Sequence, residues 1–264
     1  MVPALADPSK VTVVVVPLVA VAKDLVRTMR KHGISCDEWI HGNTRRSTVM
    51  VVAAETATKG DFGNFMAELY ISGRFARIFF DEAHILVTAI SYRPQLEELK
   101  RLGIPVQMIF LTATLPPTMA PQFEEQLILP SPKYIRARTD RLNIRYTVYR
   151  HKGPDLNGTV AAKVKDTLKR LAGESKILVF CTSHKRCNDM AELLECGTYV
   201  SGQEDKEVKF EEWKQLKPRV LVATGALGAG VNVSGVEHVV HVDTPWGMID
   251  FGQESGRGEG TEKR

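Results

Sequence analysis

Arg77-Ile-Phe-Phe-Asp81-Glu82-Ala83-His84 decides how the rest of this chain is read. An apolar run passes straight into two adjacent carboxylates. A short continuous apolar run of this kind reads as a strand buried on both faces, as in a parallel sheet. Ligand sites of open α/β sheets lie at the carboxyl ends of such strands. Paired carboxylates at that tip suit a hydrated divalent cation and an attacking water. One carboxylate holds the ion and the next orients or deprotonates the water. A bare Asp-Glu pair is elsewhere an ordinary solvated turn. The apolar strand before it and the Ala-His after it carry the functional reading.

On either side, short β-rich runs alternate with longer helical patterns, which predicts α/β layers around parallel sheets. Val11–Val16 reads as a buried strand, and further strands are expected at 48–53, 77–81 and 106–111. Leu18, Val21, Ala22, Leu25, Val26 and Met29 fall at helical spacing, ending near Gly33. Helices are also expected at 62–71, 94–102 and 119–127. Pro130-Ser-Pro132 breaks the pattern. From there to about 158 the chain is polar, basic and turn-rich, apart from a strand expected at 144–149. This stretch is the expected hinge, dividing the chain into domains 1–135 and 136–264. The second half restarts with a helix at 160–171. Strands at 176–181, 219–223 and 238–242 follow, with a helix running through Leu194.

Bulk composition narrows the class. Hydrophobic residues make up 44% and charged residues 25%, a globular balance that excludes a disordered chain. The longest apolar block, 11–22, is too short and too interrupted to span a bilayer. The first ten residues lack a basic stretch leading into an apolar run, so no signal peptide is expected. The expectation is an intracellular protein. A nuclear address would need a basic run of five to eight residues, and the sequence has none. Net charge is +4, compatible with a nucleic-acid partner without requiring one. Cys36, Cys181, Cys187 and Cys196 form no C-x-x-C pair, so no zinc site is expected and free thiols are.

Three more stretches resemble ligand-binding strand tips. Phe110-Leu-Thr112-Ala-Thr114-Leu-Pro-Pro117 places two hydroxyls after a strand. Val220-Leu-Val-Ala-Thr224 leads to Gly228-Ala-Gly230-Val-Asn232, where glycines permit close backbone approach to a ligand. Gln253-Glu-Ser-Gly-Arg257-Gly-Glu-Gly260 puts an arginine in a glycine-rich stretch, where it could reach a phosphate. Each alone is an ordinary turn or a frayed tail.

In this order the four stretches resemble motifs II, III, V and VI of superfamily-two helicases. Pro17-Leu18 with Lys23-Asp24 resembles motif Ia of the RecQ branch, Val51 to Thr56 resembles motif Ib, and Lys176 to Cys181 resembles motif IV. Tyr92-Arg93-Pro94 resembles the Phe-Arg-Pro of the RecQ aromatic-rich loop. The resemblance runs over roughly 11–260.

The resemblance implies two RecA-like domains, a P-loop NTPase helicase core, with ATP and Mg²⁺ as cofactors. It implies a 3′→5′ DNA helicase that couples ATP hydrolysis to translocation and unwinding of single-stranded or forked DNA. Asp81 would hold Mg²⁺ through water and Glu82 would activate the attacking water. His84, Thr112 and Thr114 would couple the nucleotide site to the DNA path. Gly228, Gly230 and Asn232 would lie near ribose and phosphates, and Gln253 and Arg257 would complete the site. Pro17, Lys23, Thr56, Tyr92, Arg93 and Thr224 would touch DNA.

The sequence departs from the family in two places. No glycine in the chain is followed by lysine, so no G-x-x-x-x-G-K-[ST] phosphate cradle is present. The first domain is therefore expected to be incomplete, with interior strands left at unpaired edges, and the chain to be catalytically impaired by itself. The last motif should close on Gly-Arg, and here reads Glu259-Gly260. A non-catalytic nucleic-acid-binding module and an inactive helicase relic remain as alternatives.

Overall fold

The computed structural model describes residues 4, 6–41, 47–57, 60–84, 105–129, 131–138, 141–227 and 233–258. The chain divides into two units, Met1–Ala137 and Arg138–Arg264. Each is an α/β layer structure around a parallel sheet.

In the first unit β1 (Val11–Val16) is the centre. It pairs in parallel with β3 (Val49–Ala53) on one side and β4 (Phe75–Phe80) on the other. β2 (Cys36–Glu38) adds beyond β3, and β5 (Gln107–Phe110) beyond β4. The order is therefore β2-β3-β1-β4-β5, and all pairings are parallel. Every residue of β1 and β3 is buried, because helices cover both faces. Side chains alternate across a strand. Val11, Val13 and Val15 accordingly face a core containing Phe62, Met66 and Leu69 of α3 (Gly60–Ile71), while Val14 and Val16 face one containing Ala22, Val26 and Met29 of α1 (Val19–Lys31). Burying each such valine contributes about 1.5–3 kcal/mol. α2 (Ala54–Ala57) continues directly from β3. After β5, a 3-10 turn leads into α4 (Ala120–Leu127), whose Phe123 enters the first of these cores.

The second unit repeats the scheme. Its sheet order is β7-β8-β6-β9, with β6 (Lys176–Phe180) between β8 (Val220–Ala223) and β9 (Val236–His241) and β7 (Gly197–Tyr199) at one edge. Ile177 and Val179 pack with Ala161 and Val164 of α5 (Leu156–Arg170) and with Cys187 and Met190 of α6 (His184–Leu194). Leu178 and Phe180 face Phe210 and Trp213 of α7 (Lys206–Lys214). Asp155 caps α5 by accepting the Gly158 N–H, and Ser183 caps α6 by accepting the Arg186 N–H. A last helix, α8, spans Met248–Ser255.

Two expectations need correction. The segment 144–149 is not a strand: its side chains from Arg145 to Tyr149 are exposed, and no ladder partner exists for it among the described residues. Alternation alone cannot make a strand without a neighbour to take its hydrogen bonds. The stretch from Gln253 is not a loop throughout, because α8 carries Gln253 to Ser255 and only Gly256 onward leaves the helix. The described strands of the first sheet pair in one series whose edges are β2 and β5. The helix expected at 94–102 lies outside the described residues. Among those described, no helix is long and apolar enough to cross a membrane.

Candidate active site at the strand tips

The first cluster forms where β1, β4 and β5 end together. The Asp81 N–H donates to the Val15 carbonyl at 2.9 Å, Leu111 N–H to the Phe80 carbonyl at 2.8 Å, and Ala83 N–H to the Leu111 carbonyl at 2.9 Å. These bonds carry the ladder past the strands and fix the turn 81–84. Below them Phe80 stacks on Phe110 at 5.1 Å, and Phe110 meets Phe123 edge-on at 5.4 Å. The apolar half of the motif is thus the floor on which the polar half stands.

Glu82 sits at φ 49°, in the left-handed region that a residue with a Cβ seldom adopts. Its N–H donates to Asp81 Oδ1 at 3.0 Å. The turn rotates the two carboxylates away from a regular strand path, and Glu82 Oε2 comes within 3.3 Å of His84 Nδ1. His84 is buried, and the same Nδ1 lies 3.1 Å from Thr112 Oγ1. Thr112 Oγ1 also accepts the Thr114 N–H at 3.2 Å, and the two threonine hydroxyls are 3.5 Å apart. Asp81, Glu82, His84, Thr112 and Thr114 are therefore brought together as one polar chain.

Asp81 is partly buried, and this is the largest influence on its carboxyl, raising it above the ordinary 3.8. The Glu82 N–H opposes the rise, the Glu82 charge adds to it, and His84 opposes it. A carboxylate that is costly to keep charged beside a second carboxylate is a site that gains from a cation. Among the described residues no three His, Cys, Asp or Glu side chains gather to hold a metal ion. This donor set fits hydrated Mg²⁺, which keeps several waters and uses one or two carboxylates, and does not fit a dehydrated zinc site. No glycine of the sequence is followed by lysine, so a G-x-x-x-x-G-K-[ST] cradle is not among its residues.

Of the proposed nucleic-acid contacts in this unit, Lys23 is exposed on α1, Thr56 is half-buried on α2, and Pro17 is buried in the turn between β1 and α1. Contact at Pro17 would have to use the backbone. Tyr92 and Arg93 lie outside the described residues.

The second unit holds a second cluster. Thr224 follows β8, donating its N–H to the Tyr199 carbonyl at 3.2 Å and accepting the Ala226 N–H at its hydroxyl at 3.3 Å. Glu254 of α8 reaches the same turn, since a Cβ on Gly225 would stand 3.7 Å from Glu254 Oε1. Its other oxygen lies 3.0 Å from His241 Nε2, a close approach without hydrogen-bond alignment. His241 is sandwiched by Phe180 at 5.7 Å and Phe251 at 5.2 Å. Gln253 and Arg257 are half-buried at the end of α8 and just beyond it. Gly228, Gly230, Asn232, Glu259 and Gly260 lie outside the described residues.

Sequence reasoning passed over three residues here. Arg141 donates from Nη1 to the Gly256 carbonyl at 3.3 Å and from Nη2 to the Gly258 carbonyl at 2.9 Å, bracketing Arg257. Asn143 Oδ1 holds its Nε at 3.1 Å. Asp243 accepts from the Thr182 N–H and hydroxyl at 3.2 and 3.0 Å and pairs with Arg186. An arginine in a basic stretch carries no local mark of such a role. Only the fold brings Arg141 to the end of α8, more than a hundred positions away in sequence.

Comparison with known proteins follows the same lines. The DEAD/DEAH box helicase family matches residues 1–121, and the helicase conserved C-terminal domain matches 160–258. The ATP-dependent helicase SGS1 of Saccharomyces cerevisiae is 26% identical over 93% of this chain and 18% of that protein. The ATP-dependent DNA helicase Q1 of Pongo abelii is 26% identical over 93% of this chain and 42% of that protein. The chain thus spans less than half the length of these relatives. The structure of the helicase MrfA bound to DNA and AMPPNP superposes with a TM-score of 0.72 at 16% identity, covering 97% of this chain and 41% of that one. Two RecA-like layers, the motif order and these matches together make the chain a RecQ-like member of the superfamily-two helicases.

Proposed function

We propose that this chain carries the water-activating and coupling half of an ATP-driven DNA motor that translocates 3′→5′ on a single strand. The observation that carries the reading is His84 Nδ1 standing between Glu82 Oε2 at 3.3 Å and Thr112 Oγ1 at 3.1 Å. A buried imidazole in that position holds the Glu82 carboxylate in one orientation and ties it to the segment after β5. Asp81 would hold the hydrated Mg²⁺, which when bound would neutralise charge on transferring phosphates. Glu82 then orients a water and takes its proton at a carboxylate oxygen. Any shift of the Thr112–Thr114 segment is felt at Glu82 through His84, the kind of link a conformational cycle requires. Gln253 and Arg257 are proposed to act on nucleotide phosphates, and Thr224, Lys23 and Thr56 on the nucleic acid.

The 264-residue chain by itself is proposed to turn over little ATP. Phosphoryl transfer rests on positioning and charge stabilisation, and the sequence has no glycine followed by lysine to cradle the phosphates. The test is ATP hydrolysis by this chain, with and without single-stranded DNA, beside Asp81→Ala/Glu82→Ala. Turnover no higher than that of the double variant is the expected result. DNA-stimulated turnover that the double variant loses would show that another segment supplies the cradle and would overturn the impairment.

A further inference from the structure

The basic excess of this protein is concentrated in one stretch. Between Lys133 and Lys152 there are seven lysines and arginines and a single acidic residue, Asp140, a net of +6 against +4 for the whole chain. Outside this stretch the chain is net acidic. Ordinary solvated surfaces intersperse both signs.

Three of the six tyrosines lie in the same stretch, and they are not core residues. Tyr146 is 56% exposed and Tyr149 68% exposed. Within the second unit, Tyr146 is fixed from below by Phe251 at 5.5 Å and by Ser255 Oγ at 3.4 Å from its hydroxyl. Tyr149 is fixed by Lys163 of α5, whose Nζ stands 3.6 Å from the ring centroid. Both rings are held by partners from the folded unit yet present much of their surface to solvent. Arg145, Arg150 and Lys152 are exposed around them. Cations that meet phosphates, interleaved with aromatic rings on which bases stack, are what sequence-tolerant single-strand binding requires.

We propose that Arg145, Tyr146, Tyr149, Arg150, Lys152 and Lys163 form a docking strip for single-stranded nucleic acid on the second unit. The strip is separate from every contact that the helicase motifs imply, and it rests on the nucleic-acid reading above. It binds phosphodiester backbone through the four cations and stacks bases on the two tyrosines. It functions without nucleotide, because none of its residues belongs to the strand-tip clusters.

Binding of a labelled oligo-dT to this chain, followed by fluorescence anisotropy over a salt series, tests the strip. Arg145→Glu/Arg150→Glu/Lys152→Glu is expected to weaken binding more than tenfold. It should also lower the slope of log K against log salt by about 2, for three lost phosphate contacts. Tyr149→Ala is expected to weaken binding by about 5- to 100-fold, and Tyr149→Phe to leave it within about twofold. Circular dichroism shows that each variant is folded. If the parent binds but the triple variant binds equally well, the strip is wrong and the nucleic-acid reading survives. If the parent binds no oligonucleotide at low salt, both fall. If polyglutamate competes as well as oligo-dT and Tyr149→Ala changes nothing, the patch is a general polyanion surface and the strip is also overturned.

Discussion

His84 Nδ1 lies 3.1 Å from Thr112 Oγ1, joining two turns that are 28 residues apart in sequence. With Nδ1 protonated, the ring donates to a hydroxyl that is also accepting the Thr114 N–H. The neighbouring Glu82 carboxylate, 3.3 Å away, favours that tautomer. Thr112→Val keeps the shape and removes the oxygen. It leaves a buried imidazole N–H one partner poorer, at a cost of about 1–2 kcal/mol. Urea unfolding should show this loss, and Thr112→Ser should restore most of it. Equal midpoints for the parent and the valine variant would mean that the hydroxyl carries none of the network.

Strain at Glu82 gives a prediction of opposite sign. At φ 49° a Cβ is unfavourable and glycine is at ease. Glu82→Gly should raise stability by about 0.5–1 kcal/mol while removing the proposed water-orienting carboxylate. Thermal melting of this variant beside Glu82→Ala separates the two effects, since alanine keeps the strain. A glycine variant melting below the alanine variant would refute the assignment of strain.

Arg141 brackets Arg257 through the Gly256 and Gly258 carbonyls. It is exposed, so the expected cost of Arg141→Ala is modest, about 1 kcal/mol. The local consequence should be larger than the global one. Hydrogen exchange at 255–258 is expected to accelerate while that of β6 and β8 stays unchanged. Uniform acceleration across the unit would instead mark Arg141 as a general stabiliser.

Burial pushes the Cys36 thiol up to about 11 from an ordinary 9.0. The folded chain keeps this proton where the unfolded chain gives it up. Stability from this group is therefore complete below pH 9.0 and declines as pH rises from there towards 11. A two-unit rise cuts the thiolate fraction near pH 8 roughly a hundredfold. Alkylation of native Cys36 by iodoacetamide, read by peptide mass spectrometry, should be slower than in urea by at least that factor. Equal rates in the two states would contradict the burial of β2.

The sequence by itself determined the strand tips. Val11–Val16 and the apolar run before Asp81 became central parallel strands because runs this rich in apolar residues sit where both sheet faces are covered. Asp81, Glu82, Thr112 and Thr114 were legible because each follows such a strand directly, so a local pattern locates them. The short strands β2 and β7 and helix α7 carried too few periodic residues to be read. Tertiary structure alone decided the rest. It withheld a ladder partner from 144–149, leaving Tyr146 and Tyr149 exposed although their alternation resembles a strand. It continued α8 through Gln253, and it placed Arg141 on the carbonyls beside Arg257. Local pattern records which face of an element avoids water. Which distant backbone group answers a given side chain depends on how the elements pack, and the order of residues in a segment does not encode that on its own.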